Sequence, residues 1–220
     1  MKVKLLKFTP LLLLISTNLW ANESTNLFQT VKRHPFYAGV LGGFGSTNWD
    51  GLVDNKAMID GSYSSVPIKA YDSGFDWGLI GGAEINPYFA LEAQFHHYQT
   101  SHLFFAEGNV YFNYGEHSIY THTDSTAFMI KVMAPLFNTG MRVYSEVGPA
   151  FTHREDHLTS TTHGAGSFGA GINYNLNPWV MVQLGFNYTT GFGKSTNVPV
   201  DDYIPFLNSI DLALVGRFGL

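Results

Sequence analysis

The chain has 220 residues, the length of one domain or at most two. It contains no cysteine, only 13% charged residues and 15% aromatic residues, and its formal net charge is −5. The acidic balance argues against nucleic acid as a partner, since nucleic-acid-binding domains carry basic patches. The lack of cysteine excludes disulfides as a source of stability.

The first residues predict a secretory signal peptide over residues 1–21. Three lysines within the first seven residues precede an apolar run over 8–19, and Ala21 is a small residue suited to cleavage. The apolar run is shorter than the roughly 20 residues of a membrane-spanning helix. Removing this segment takes away three of the 12 basic residues and none of the 17 acidic ones, which leaves a net charge of −8. Residues 22–35 are polar and are expected to form a periplasmic lead-in.

Eight segments of alternating apolar and polar residues follow, each about long enough to cross a membrane as a tilted strand. Their predicted bounds are Phe36–Trp49, Gly74–Asn86, Phe89–Thr100, Ser125–Leu136, Met141–His153, Ala165–Tyr174, Trp179–Gly191 and Phe206–Leu220. Long gaps over 50–73, 100–124, 153–164 and 192–205 alternate with three short turns at residues 86–88, 137–140 and 175–178. Tight turns on one rim and long loops on the other are typical of outer-membrane barrels. The predicted fold is all-β: an eight-stranded antiparallel up-and-down transmembrane β-barrel over residues 36–220.

Alternation along each strand predicts which side chains face lipid and which face the lumen. In the third strand Leu91, Ala93 and Phe95 form the apolar face, and Glu92, Gln94 and His96 form the polar face. The same reading places eight charged residues inside the barrel: Asp76, Glu84, Glu92, Lys131, Arg142, Glu146, Asp211 and Arg217. Buried charges are tolerated when they are paired, so an ion-pair network across the lumen is predicted. An eight-stranded interior is just wide enough for side chains to fill, which favours a structural plug over an exchanging gate.

Glycine and aromatic residues add two expectations. Five glycines are expected to relieve crowding inside a narrow wall: Gly39, Gly43, Gly45, Gly169 and Gly171. Aromatic girdles are predicted near the short turns at Tyr37, Tyr88, Phe89, Phe137, Trp179 and Phe218, and near the long loops at Trp49, Trp77, Phe151 and Tyr188.

Two segments resemble a known family. Residues 36–45 read FYAGVLGGFG, and residues 78–88 read GLIGGAEINPY before turning into the third strand. These segments are similar to the small outer-membrane barrels of the OmpA-transmembrane, opacity-protein and OmpW kind. The resemblance implies insertion by the barrel-assembly machinery into a membrane of lipid and lipopolysaccharide. It also implies a role as an adhesin, an envelope stabiliser or a passage for small hydrophobic compounds. Family members commonly end in an aromatic residue, whereas this sequence ends in Leu220.

The histidines suggest a second kind of site. Nine occur, and six map to the long loops or strand tips: His102, His117, His122, His153, His157 and His163. His153 and His157 are four residues apart and form a candidate metal site, although solvated loop histidines explain them as well. No cofactor is expected.

Three functional classes are compatible with this fold. The favoured one is a surface protein whose loops bind a host or extracellular ligand or neighbouring lipopolysaccharide, because binding residues concentrate on loops held by a rigid scaffold. A narrow channel for small hydrophobic or ionic solutes is the alternative; Pro149 within the fifth strand hints at a break in the wall, with a simple strand bulge as its competing explanation. An enzyme acting on lipid A is disfavoured because the seventh and eighth predicted strands contain no histidine.

Overall fold

A computed structural model describes residues 34–49, 67–107, 115, 117–136, 139–157, 159–192 and 203–219. The strands are β1 (Phe36–Asn48), β2 (Lys69–Tyr71), β3 (Ser73–Asn86), β4 (Phe89–His97), β5 (Ser101–Phe104), β6 (Ser118–Leu136), β7 (Met141–Glu155), β8 (Ser160–Asn177), β9 (Val180–Thr189) and β10 (Phe206–Phe218). Within these ranges no helix has the length and apolar character to cross a membrane. The predicted signal peptide and residues 22–33 of the lead-in lie outside the described residues, as does Phe137.

Eight of the strands form a closed wall. In order around the barrel they are β1, β3, β4, β6, β7, β8, β9 and β10, and every neighbouring pair is antiparallel. Thirteen paired positions between β1 and β10, from Phe36↔Phe218 to Asn48↔Phe206, close the cylinder. The predicted eight-stranded antiparallel barrel is therefore confirmed.

The lipid-facing and lumen-facing sets predicted from alternation are also confirmed. Along β10 the outward Leu212 is 58% exposed, whereas the neighbouring Asp211 is 4% exposed. In β4, β6 and β10 exposed or half-buried residues alternate with buried ones, and the buried positions are those predicted to face the lumen. A surface this apolar is stable against lipid, whereas the interior collects the polar side chains.

The wall extends further than predicted at the long-loop rim. β6 begins at Ser118 rather than Ser125, and β8 begins at Ser160 rather than Ala165. Two short strands, β2 and β5, lie within segments predicted to be loops and join β6 in the order β2–β5–β6. Inward-facing polar residues such as Thr121 and Thr123 continue the period-two pattern of burial here. The outward residues between them include the polar His122, so alternation of hydrophobicity does not reveal this part of the strand.

Two of the predicted girdle residues are buried, so their assignment to the girdles is wrong. Tyr37 is 3% exposed and donates its hydroxyl to Glu92 inside the barrel. Trp49 is fully buried and packs against Tyr203 at the long-loop end. Tyrosine and tryptophan carry polar atoms that find partners when buried, so aromatic character alone does not reveal the face. The other described girdle residues are Tyr88, Phe89, Trp179 and Phe218 near the short turns and Trp77, Phe151 and Tyr188 near the long loops, and all but the half-buried Tyr188 are exposed.

The strand bulge suggested for Pro149 is wrong. The β6–β7 ladder has no partners for Phe128 and Met129, opposite Gly148 and Pro149, but the same register resumes on either side, at Ala127↔Ala150 and Ile130↔Val147. Proline has no N–H to donate to a ladder. The result is an interrupted ladder without an inserted residue.

Glycines lie where lumen side chains approach the wall. A Cβ added at Gly43 would lie 2.6 Å from Asp211 Oδ1, and one at Gly169 would lie 2.5 Å from Glu146 Oε1. Real Cβ atoms do not approach other atoms so closely. These glycines make room for the charged interior, as the sequence predicts.

Candidate functional site

Among the described residues, nine acidic and basic side chains form three tiers across the lumen. The short-turn tier contains Glu84, Arg142 and Arg217; the middle tier contains Glu92, Lys131 and Glu146; and the long-loop tier contains Asp76, His96 and Asp211. All nine are buried. The eight charged residues predicted to face the lumen are all among them.

In the short-turn tier one carboxylate accepts from two guanidinium groups. Arg217 Nη2 lies 2.6 Å from Glu84 Oε2 and its Nη1 lies 3.0 Å from Oε1, a two-point contact. Arg142 Nη2 lies 2.6 Å from Glu84 Oε1, and its Nε donates to Asn173 Oδ1 at 3.0 Å. Arginine suits this role because its planar fork of donors matches a carboxylate.

In the middle tier one cation lies between two carboxylates. Lys131 Nζ forms an ion pair with Glu92 and lies 3.2 Å from Glu146 Oε2. Gln94 Nε2 donates to both carboxylates, at 2.7 Å to Glu92 Oε1 and 2.8 Å to Glu146 Oε1. The ammonium group also lies 4.2 Å from the centre of the Tyr144 ring. Removing Lys131 would leave two buried carboxylates without compensation.

The long-loop tier differs because it contains no lysine or arginine. His96 Nδ1 lies 3.9 Å from Asp76 Oδ2 and 3.8 Å from Asp211 Oδ2. Asp211 Oδ2 accepts from Ser209 Oγ at 2.5 Å and from Asn187 Nδ2 at 3.3 Å. The expected pairing with a basic side chain is therefore absent for both aspartates among the described residues.

Above this tier a small apolar cluster closes the long-loop end. Its buried members are Trp49, Leu103, Phe105, Ile119 and Tyr203. Arg154 lies over the Trp49 ring at 5.0 Å and forms a 2.5 Å ion pair with Asp156. Sequence reasoning missed this ion pair because it ended the fifth predicted strand at His153. The continuing alternation to Arg154 was the available signal.

The outer face of the β2–β5–β6 extension carries an aromatic strip, defined here as Tyr71, His102, Phe104 and Tyr120. Tyr71 pairs with His102 and His102 with Tyr120 across three strands. The His102 ring lies 4.0 Å from the rings of both Phe104 and Tyr120. Tyr71 and Tyr120 are 54% and 58% exposed. This strip is an apolar surface with polar edges, a form suited to binding.

An open groove lies beside the strip. It has a volume of about 420 Å³ and is lined by Ser118, Tyr120, His122, Glu155, Asp156 and His157. Tyr120 belongs to both the strip and the groove, so the two features form one continuous surface at the long-loop rim. Carboxylates, imidazoles and an aromatic ring converge there.

The candidate metal pair lies at the tip of the β7–β8 hairpin. His153 Nδ1 is 2.8 Å from Thr162 Oγ1, and its Nε2 is 4.0 Å from Glu155. His157 lines the groove. The structure gives the pair no shared ligand geometry, and metal binding there stays a prediction.

Comparison with known proteins agrees with this architecture. The family model described as "Outer membrane protein beta-barrel domain" matches residues 11–218. The chain therefore belongs to this family of bacterial outer-membrane barrels, which sit among lipid and lipopolysaccharide.

Solved structures give the same fold at low sequence identity. Neisserial surface protein A is 13% identical with a TM-score of 0.52, and the match covers 83% of this chain and 97% of that one. The outer-membrane protein OprG from Pseudomonas aeruginosa is 13% identical with a TM-score of 0.51, and the match covers 86% of this chain and 98% of that one. A search of curated proteins gave no match. These likenesses concern the fold alone.

Proposed function

We propose that this protein is a surface-binding and structural component of the outer membrane. Its long loops face the exterior, and its amino terminus and short turns face the periplasm. The long-loop rim, with the aromatic strip and its groove, binds saccharide on lipopolysaccharide or on an external surface. Insertion depends on the barrel-assembly machinery, as for other barrels of this family.

The filled lumen is the observation that carries this proposal. Side chains from five wall strands meet in the three tiers, and the apolar cluster around Trp49 covers them at one end. The short-turn and middle tiers, with charged pairs at hydrogen-bond distance, leave little room for solute. The recognition surface is then the rim rather than the interior.

The chemistry of the rim favours saccharide. Aromatic rings such as Tyr120 present flat apolar faces, which match the C–H faces of sugars, and Glu155 and His122 supply hydrogen-bonding groups beside them. Along the strands, the rim begins where the lipid-facing surface ends. On β6 the outward residues change from Phe128 to Asp124, which pairs with His97 at 2.6 Å, and then to His122 and Tyr120. This order matches a passage from hydrocarbon into a headgroup and sugar layer.

The experiment is a binding measurement on protein in lipid nanodiscs. Immobilised glycans, including the core oligosaccharide of lipopolysaccharide, serve as probes, and Tyr120→Ala and Tyr71→Ala are compared with wild type. Tyr174→Ala is the matched control, since Tyr174 is also an exposed strand tyrosine but lies at the short-turn end. Loss of at least tenfold in affinity for the rim variants alone supports the proposal. No glycan binding by wild type, or equal loss in the control, contradicts it.

A narrow passage is the second candidate, favoured by the interrupted ladder at Gly148 and Pro149. Solute would leave the lumen sideways, through this gap in the wall. Planar-bilayer recordings distinguish the two functions: the binding role predicts silence for wild type, and a passage predicts steady conductance that changes in Arg142→Ala or Glu146→Ala.

The proposal assigns no enzymatic activity. The best candidate for a catalytic pair is His97 with Asp124, whose Nδ1–Oδ1 distance is 2.6 Å at the lipid boundary. Among the described residues no hydroxyl group is hydrogen-bonded to His97, whereas a nucleophile would need such a contact. Incubation with labelled lipid A tests this point, and release of acyl chains would overturn it.

A further inference from the structure

We propose that Asp76, His96 and Asp211 bind one divalent transition-metal ion, best matched by Zn²⁺, inside the long-loop tier of the lumen. Asp76 is on β3, His96 on β4 and Asp211 on β10, so the ion would link wall strands on both sides of β1. The site is separate from the His153 and His157 pair predicted from the sequence.

Charge balance is the first argument. Five carboxylates point into the lumen on the wall strands, and three basic side chains accompany them, which leaves two negative charges when His96 is neutral. Arg154 and Asp156 compensate each other and do not change this balance. The short-turn and middle tiers hold all three basic groups, so the excess belongs to the long-loop tier. Two uncompensated buried charges are costly, and one divalent ion neutralises both.

Missing hydrogen bonds are the second argument. Both oxygens of Asp76, Oδ1 of Asp211 and Nδ1 of His96 are buried and have no hydrogen-bond partner among the described residues. Asp76 is completely buried, and His96 and Asp211 are each 4% exposed. Buried polar atoms are usually satisfied by protein or by ordered water. Other lumen atoms such as Arg142 Nη1 and Tyr144 Oη also have no partner among the described residues, but four such atoms meet at this one point, which favours a bound ion or water there.

The orientation of His96 is the third argument. Gln94 uses its Nε2 to donate to Glu92 and Glu146, so its Oε1 must face His96 Nε2, at 3.3 Å. An amide oxygen only accepts, and His96 Nε2 therefore carries the proton. In the neutral ring Nδ1 then presents a lone pair toward two carboxylates. Three electron-rich atoms facing one another are stabilised by a positive charge between them, either a metal ion or a proton.

The geometry suits a small ion. One ligand atom from each residue lies within 4.8 Å of the others, and the two closest contacts to His96 are 3.8 and 3.9 Å. Ligands bound tetrahedrally to Zn²⁺ at about 2.0–2.1 Å lie about 3.3 Å apart. The two contacts to His96 would therefore shorten by about half an ångström each, and the two carboxylates, which lie within 4.8 Å of each other, by at most about 1.5 Å. A ligand set of one imidazole and two carboxylates favours Zn²⁺ over Ca²⁺ and Mg²⁺, because those two ions prefer oxygen ligands alone. Gln94 hydrogen-bonded to the distal ring nitrogen is the kind of support that metal-binding histidines have.

The competing explanation is a proton. A protonated carboxyl shared between Asp76 and Asp211 would also remove one charge and satisfy one oxygen. It would give no affinity for metal, and the neutral substitution Asp76→Asn would then be harmless. The two explanations are therefore separable by experiment.

The test is Zn²⁺ titration of chelator-treated, refolded full chain in detergent micelles, followed by calorimetry, with X-ray absorption at the zinc edge on the 1:1 complex. We expect one ion per chain, one nitrogen and several oxygen ligands, and at least tenfold weaker binding in both Asp76→Asn and His96→Gln. The matched control is His97→Gln, because His97 is adjacent to His96 but faces outward. It should bind like wild type, as should the double variant His153→Ala with His157→Ala.

Three results overturn the proposal: no zinc binding by wild type, binding lost in the His153 and His157 double variant but kept in the lumen variants, or equal binding in His96→Gln and wild type. Folding of each variant is checked by the heat-dependent shift in gel mobility that folded barrels show. If Asp76→Asn does not fold, His96→Gln and the absorption spectrum of the wild-type complex decide the question.

Discussion

Arg217 on the last wall strand and Glu84 on β3 form a two-point ion pair across the closure seam of the barrel. Their closest contact, Nη2 to Oε2, is 2.6 Å, and β1 lies between the two strands. The pair therefore links both neighbours of the first strand from inside the lumen. It connects the end of the chain to its beginning through a side-chain contact as well as through the β1–β10 ladder.

Breaking this pair should destabilise the barrel strongly. Arg217→Ala leaves Glu84 with only Arg142, and loss of one partner of a buried pair costs about 3–5 kcal/mol. Urea unfolding in micelles, monitored by tryptophan fluorescence, measures the change. Lys69→Ala is the control, because Lys69 is exposed at the rim and its ammonium group lies over the exposed Tyr71 ring, and it should change stability by less than about 1 kcal/mol. A change below about 1 kcal/mol for Arg217→Ala would contradict the role assigned to the pair.

The crowded lumen predicts a contrast between two glycines of β8. A Cβ at Gly169 would lie 2.5 Å from Glu146 Oε1 and 2.6 Å from Asn187 Oδ1, whereas one at Gly166 meets nothing nearer than 3.7 Å. Gly169→Ala should therefore cost about 1–3 kcal/mol through overpacking, and Gly166→Ala should be close to neutral. Equal effects in the same unfolding assay would show that the interior is not filled as described.

The apolar cluster at the long-loop end predicts a further contrast, between two tryptophans. Trp49 is fully buried, whereas Trp77 is 46% exposed on the outer face. Trp49→Ala should destabilise by about 3–5 kcal/mol if the cluster unfolds together with the wall. Trp77→Ala should cost less. Hydrogen exchange shows where the destabilisation occurs. In Trp49→Ala, the backbone amides of β5 and of the first residues of β6 should lose protection before those of the rest of the wall. Unchanged protection would mean that the cluster does not hold these strands.

Sequence patterns were sufficient for the fold and for the two faces of the wall. Leu91 and Glu92 illustrate why: in a strand of period two, one apolar and one charged neighbour determine which side meets lipid. The assignment of Tyr37 and Trp49 to girdles was wrong because their rings are apolar but their polar atoms bond inside. β2 and β5, at three and four residues, are too short to show a period.

The pairing inside the lumen required the structure. Alternation placed eight charged residues inward, but the partner of each depends on strand register and stagger, which local pattern does not contain. Glu84 and Arg217 are 133 residues apart. His96 was placed inward without a role, and its contact with Asp76 and Asp211 appears only when β3, β4 and β10 are brought into register.

The loss of stability caused by a charged side chain on the outer surface should depend on its position along the barrel. Leu212 and Ile68 are 58% and 68% exposed, but Leu212 lies midway along a wall strand and Ile68 lies beyond the wall at the rim. Leu212→Arg should destabilise the protein in bilayers by about 2–4 kcal/mol, the range for a midplane position, and Ile68→Arg by about 0–1 kcal/mol. Reversible unfolding from lipid vesicles measures both. Similar losses of stability in Leu212→Arg and Ile68→Arg would contradict the prediction, since they would mean that both residues lie in the same environment.

The most direct test of a closed wall with an apolar outside uses single cysteines, since the natural chain has none. Ile210→Cys, Leu212→Cys, Leu214→Cys and Ile68→Cys are each treated with a small thiol-reactive fluorescent label in bilayers that contain quencher-bearing lipids, and Ala213→Cys, which points into the filled lumen, is treated in the same way. We expect strong quenching at positions 210, 212 and 214, weak quenching at 68, and no labelling of Ala213→Cys while the barrel is folded. Ready labelling at 213, or no quenching at 212, would contradict the closed wall.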